Sequence, residues 1–208
     1  MFLYLLILVI FMEYNTEEKT ITIDKELNLL DKFVITFIDI LEKYTDYVIV
    51  SGYVSILLGR SRATEDVDLL IPTLNMEKVK ELFNELSTHF ECMNAFRAEE
   101  AFSLLSEKIS LRFFYPGNPL PNIEVKFAKT DIDRYSLNNK LKVIIRDEVL
   151  FISPLELQIA FKLFLGSDKD FEDAKHLHLL FEEQLDKKLL EQFINKLNVN
   201  NEFRRFIG

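Results

Sequence analysis

The stretch Tyr47–Pro72, YVIVSGYVSILLGRSRATEDVDLLIP, decides how the rest of the chain is read. Tyr47 to Val50 predicts an apolar strand, Ser51-Gly52 a tight turn, and the next residues a short helix ending at Gly59. A basic loop with Arg60 and Arg62 then enters a second strand that carries Asp66 and Asp68. Side chains alternate faces along a strand, so the two carboxylates point the same way while Val67 and Leu69 face the core. Two acids aimed at one spot repel unless a cation lies between them, so the pair predicts a bound metal ion or a raised pKa. Magnesium suits the position, because it takes hard oxygen ligands from one or two carboxylates plus substrate phosphates, and paired ions stabilise the attacking and leaving oxygens of a phosphoryl transfer. Phosphates also need donors. Gly52 lets backbone N–H groups approach an anion at the start of the following helix.

Gly52, Tyr53 and Asp66-Val67-Asp68 together resemble the signature of the DNA polymerase β-like nucleotidyltransferase superfamily, a Gly followed by Gly or Ser, a spacer and Asp-x-Asp, with Tyr53 departing from the small second residue. The run Arg62-x-Thr64-x-Asp66-x-Asp68 is similar to that of the minimal nucleotidyltransferases and the AbiEii-like toxins of toxin–antitoxin pairs. The resemblance implies an α/β (α+β) nucleotidyltransferase fold, a mixed β-sheet flanked by helices with a C-terminal helical layer. It implies two Mg2+ ions, an NTP as substrate, and transfer of a nucleoside monophosphate to an acceptor hydroxyl on RNA such as tRNA or on a protein. A cognate antitoxin is the implied partner. Asp66 and Asp68 would hold the ions, and Glu124, on a neighbouring strand, would be the third metal-binding carboxylate and activate the hydroxyl. Ser51, Gly52, Tyr53, Arg62 and Thr64 would bind the nucleotide, Tyr53 as a phenol beside the triphosphate or against the base. Farther along, Lys162 followed by Lys169-Asp170 and Asp173 resembles the C-terminal pattern of the same relatives, with Lys162 on the triphosphate and Asp170 or Asp173 orienting it or positioning the acceptor. The alternative is a catalytically weak member of the fold that binds a nucleotide or a partner protein.

The chain has 208 residues, of which 49% are hydrophobic and 28% charged, so it can bury a core of moderate size and is not disordered. Its net charge of -9 argues against a surface built to coat DNA, although a local basic patch can still hold RNA. The single cysteine, Cys92, excludes an intramolecular disulfide and a cysteine-rich zinc site, which fits a reducing cytoplasm and a buried thiol. Residues 1–12, MFLYLLILVIFM, carry no charge, yet a membrane-spanning helix needs about 20 apolar residues. Three readings of that run stand: a start artefact with the protein beginning at Met12, an element packed on the domain, or a membrane anchor.

Residues 1–23 read as an N-terminal extension, 24–152 as the nucleotidyltransferase core and 153–208 as C-terminal helices packed on it. In the core, Asp24 to Tyr44 has the three-and-four apolar spacing of an amphipathic helix, with Asp24 as its cap. A second helix is expected from Asn75 to about His89, and a short strand over Phe90 to Ala95. Residues 99–107 fit a helical turn or a strand equally. Ile109 to Tyr115 and Asn122 to Ala128 form an expected hairpin around Pro116-Gly117-Asn118-Pro119, with Glu124 and Lys126 on one face of the second strand. A second hairpin is expected over residues 141–152. Ser153-Pro154 opens a helix that stops near Gly166, and Ser167 or Asp168 caps the next. His89, His176 and His178 show no metal-ligand spacing and read as structural. Lys126, Lys129, Arg134, Lys140, Lys142 and Arg146 form a basic concentration that either docks an acidic acceptor or lines a solvated edge.

Overall fold

The computed structural model describes residues 11–208. Readings of residues 1–10 lie outside that range. The described chain runs β1 (Phe11–Asn15), β2 (Thr20–Asp24), α1 (Leu29–Leu41), β3 (Val48–Val50), α2 (Gly52–Leu57), β4 (Asp66–Ile71), α3 (Met76–Leu86), β5 (Glu91–Cys92) and α4 (Ala98–Ser106). It continues through β6 (Leu111–Tyr115), β7 (Asn118–Phe127), α5 (Asp131–Asn138), β8 (Leu141–Ile145) and β9 (Glu148–Ile152). Helices α6 (Leu155–Leu165), α7 (Asp168–Phe181), α8 (Lys187–Lys196) and α9 (Asn200–Phe206) complete it.

The strands of the described residues join one mixed sheet in the order β1-β2-β8-β9-β3-β4-β7-β6-β5. Strand β4 lies in its middle, antiparallel to β3 and parallel to β7. The parallel pairing aligns Asp66 with Asn122, Asp68 with Glu124 and Leu70 with Lys126. Period-two alternation then divides the strands. Val67, Leu69, Ile71, Ile123, Val125 and Phe127 enter the main core, where α1 and α3 also bury their apolar stripes. The opposite face carries the acids, beside a smaller apolar cluster of Val48, Leu70, Ala128 and Leu137 under α5.

Several boundaries differ from the sequence expectation. Residues 11–24 are part of the sheet rather than an extension, because Ile21 and Ile23 alternate into the core and β2 pairs in parallel with β8. Asp24 therefore ends a strand and caps nothing. Helix α1 begins after Asn28, whose side chain accepts from the Asp31 amide while Asp31 accepts from the Asn28 amide, a reciprocal capping box. Residues 98–106 resolve as helix α4, with Ala98, Ala101 and Leu105 inward. Ser153 does not cap α6: its hydroxyl lies 3.1 Å from that of Ser136, and Pro154 holds the cap position. The helix ends as expected at Gly166 in the left-handed conformation (φ 74°), and Ser167 caps α7. Cys92 is half-buried rather than enclosed. No helix among the described residues is long and apolar enough to cross a membrane.

Candidate active site

Strand β3 delivers the chain to Ser51, whose φ of 65° and ψ of −135° are strained for a residue with a side chain. The bend opens α2 at Gly52. A Cβ at that position would run into the tip of the Arg62 guanidinium, so glycine is what lets Arg62 lie over the bend. Arg62, Thr64 and Asp66 follow in order, with Thr64 Oγ1 donating to the Asp66 carbonyl at 2.8 Å. Among the described residues Asp66 makes no ion pair.

The far wall comes from the C-terminal helices. Lys162 is almost fully buried, its Nζ 2.7 Å from Asp170 Oδ1 and 3.0 Å from Asp173 Oδ2. Asp173 is completely buried and also pairs with Arg60, while Arg62 Nη1 stands 3.5 Å from it. Burial works to raise the Asp170 pKa, but the Lys162 ammonium and the Ser167 hydroxyl outweigh it and hold the carboxyl below its usual value. Ser51, Gly52, Arg62, Thr64, Asp66, Lys162 and Asp170 all line one cavity of about 310 Å3. The buried Nε of Arg62 has no hydrogen-bond partner. A second cavity, of about 330 Å3, shares Ser51 and continues along the acid row past Asp68 and Lys126. Its walls are mainly apolar, from Val50, Leu70, Leu157 and Phe161, and its floor includes the buried Gln158, whose Oε1 is unpartnered.

Two residues behave differently from the sequence expectation. Tyr53 is completely buried, and its hydroxyl donates to Asp31 Oδ1 at 2.8 Å on the core side of α2. Its phenol touches neither cavity, because Asp31 and Lys25, 3.1 Å apart, draw it inward; only its backbone remains at the bend. Burial, then the Asp31 charge, push the phenol pKa well up, so it stays a donor. Glu124 is next to Asp68 as the strand pairing requires, but its oxygens are committed. Oε1 is 2.9 Å from Arg112 Nε, and Oε2 accepts from Ser110 Oγ at 2.8 Å and lies 3.3 Å from Lys126 Nζ. No three His, Cys, Asp or Glu side chains among the described residues lie close enough together to hold a metal ion, so the three-carboxylate cage does not close. Burial works to raise the Glu124 pKa; Ser110, Lys126 and Arg112 outweigh it, leaving a carboxyl held low and poorly suited to take a proton from a hydroxyl.

Sequence reasoning missed Lys126, placing it in a basic surface run. Its Nζ lies 2.9 Å from Asp68 Oδ1. Burial pulls the ammonium pKa down, but Asp68 and then Glu124 overcome this and raise it. The signal was present: Lys126 follows Glu124 by two, and on a strand that puts them side by side. Asp68 keeps a raised pKa, chiefly from burial, which the Lys126 ammonium offsets only in part.

No family model and no curated protein matches the sequence. Solved structures do match. An antigenic nucleotidyltransferase-like protein from Paracoccidioides brasiliensis aligns with a TM-score of 0.51 at 16% identity, over 84% of this chain and 90% of its own. The antibiotic-resistance factor ANT(2'')-Ia aligns with a TM-score of 0.52 at 13% identity, over 84% of this chain and 96% of its own. The chain has the nucleotidyltransferase fold. At these identities the likeness is one of architecture.

Proposed function

We propose that the protein is a magnesium-dependent nucleotidyltransferase that joins a nucleoside monophosphate from an NTP to an acceptor hydroxyl. The carrying observation is the convergence of the Ser51-Gly52 bend, Arg62, Asp66 and Lys162 on one cavity. These residues come from the bend between β3 and α2, the loop between α2 and β4, β4 itself and α6, so the fold is what brings Lys162 to the others. Arg62 offers an unpartnered buried N–H, a strong donor for phosphate oxygens. Asp66, with no ion pair, and Asp68 beside it suit one hard divalent ion shared with phosphates. Such an ion, when bound, would neutralise charge on the transferring phosphoryl group. The hydroxyl oxygen would bond to the α-phosphorus as the bridge to the β-phosphate breaks, with pyrophosphate leaving and the hydroxyl proton passing to solvent or a nearby base. The apolar cavity beyond Asp68 is suited to the nucleoside or the acceptor body.

The likeness of the Arg62–Asp68 run to AbiEii-like toxins supports RNA such as tRNA, or a protein, as acceptor and a cognate antitoxin as partner. The test is transfer of label from α-labelled NTP with Mg2+ into an RNA or protein pool. Asp66→Asn and Asp68→Asn should each lower transfer by about 10³-fold. Asn variants that transfer as well as the wild type would refute the reading. The commitment of Glu124 to Arg112 and Lys126 favours a second reading, a nucleotide-binding regulator with weak catalysis. Calorimetry showing Mg2+–ATP binding by a chain without transfer activity would select it.

A further inference from the structure

Lys126 brings a positive charge into the acid row. The parallel pairing of β4 with β7 puts Asp68 and Glu124 side by side, and Lys126 reaches back between them, 2.9 Å from Asp68 Oδ1 and 3.3 Å from Glu124 Oε2. Arg112, opposite Glu124 on β6, takes the other carboxylate oxygen at 2.9 Å. We propose that the Lys126 ammonium is the built-in second cation of this site, so that the chain takes one divalent ion, on Asp66 and Asp68, and not two.

The inference rests on the nucleotidyltransferase reading but is tested apart from it. An ion approaching Glu124 would have to displace an ammonium and a guanidinium and give up the Ser110 hydrogen bond, while meeting their like charge. Asp66, in contrast, has no counter-ion to displace. Three carboxylates against Lys126 and Arg112 leave a single net negative charge, a balance suited to one divalent ion shared with phosphate and not to two. A lysine can do this because its charge is compact and its flexible stem sets the distance.

The experiment counts Mn2+ bound by the full chain, by electron paramagnetic resonance, with and without a non-hydrolysable ATP analogue. With the analogue, the wild type and Lys126→Arg should hold one Mn2+ per chain, and Lys126→Met and Lys126→Gln two. Without nucleotide, the Met and Gln variants should bind Mn2+ about tenfold or more tightly than the wild type, because Asp68 and Glu124 lose their shared cation. Two ions in the wild type, or no gain of Mn2+ affinity in either neutral variant, would overturn the proposal. If the wild type binds no Mn2+–nucleotide at all, the nucleotidyltransferase reading fails, and the nucleotide-free comparison still decides the role of Lys126.

Discussion

Two ionic clusters adjoin the short helix α2 and the loop that follows it. On the core side Lys25, Asp31 and Tyr53 form a closed set in which Asp31 is fully buried and accepts from both of the others. On the outer side Arg60, Arg62 and Lys162 surround Asp173, with Asp170 and Glu172 at the rim. Both mix acids with cations, yet of the two only the outer one meets the cavity that Ser51, Gly52 and Asp66 line, and only it leaves a donor, Arg62 Nε, without a partner. The comparison separates two uses of the same chemistry. The inner cluster fixes the bend, and the outer one has capacity left for a ligand.

The comparison can be broken most readily at Asp31. Asp31→Ala would leave the Lys25 ammonium buried without its partner and should lower stability by about 3–5 kcal/mol in urea denaturation. A variant of near wild-type stability would show that the inner cluster is not structural. Gly52→Ala should push the Arg62 guanidinium off the bend and weaken ATP binding about tenfold by calorimetry, with a small effect on stability. Tyr53→Phe sharpens the division further. It removes one hydrogen bond to Asp31, costs about 1 kcal/mol, and should leave ATP affinity unchanged; a loss of affinity would put the phenol back in the site.

The smallest effects are in the acid limb. Glu124 is held below its ordinary 4.5, so the stability it contributes is complete above that pH and is lost as pH falls through its lower folded value. Asp68 is raised above 3.8, chiefly by burial, so its charge costs stability at neutral pH and the cost fades on acidification. Glu124→Gln should therefore lose stability at pH 7 and show a flatter acid limb, whereas Asp68→Asn should be at least as stable as the wild type there. Equal losses in urea titrations of the two variants would contradict that assignment.

The acid row of β4 is legible in DVDLLI, because a single strand's alternation fixes the shared direction of Asp66 and Asp68. So are Asn75 as a cap, the stop at Gly166, and the strand bearing Glu124. What lies beyond reach is set by pairing between strands. The partners of Glu124 come from β6 and from two residues along β7, and no local pattern says that Arg112 will stand opposite it. Tyr53 misleads for a related reason. Its neighbours in sequence belong to the Ser51-Gly52 bend, while its hydroxyl is claimed by Asp31, which precedes it by 22 residues on another helix. Strand β1 is at the sheet edge and follows an apolar run, and β2 beside it has five residues, so their alternation is too brief to stand out from a tail.

Lys25 directly follows β2 and bonds to Asp31, which in turn holds Tyr53 one residue past the glycine of the bend. The front of the chain is thus wired to the Ser51-Gly52 bend through two side chains. Anyone trimming the protein for expression should expect a cut at residue 25 or later to strip Ile21 and Ile23 from the core and leave Asp31 without Lys25, so that the Ser51-Gly52 bend loosens together with the sheet that carries it.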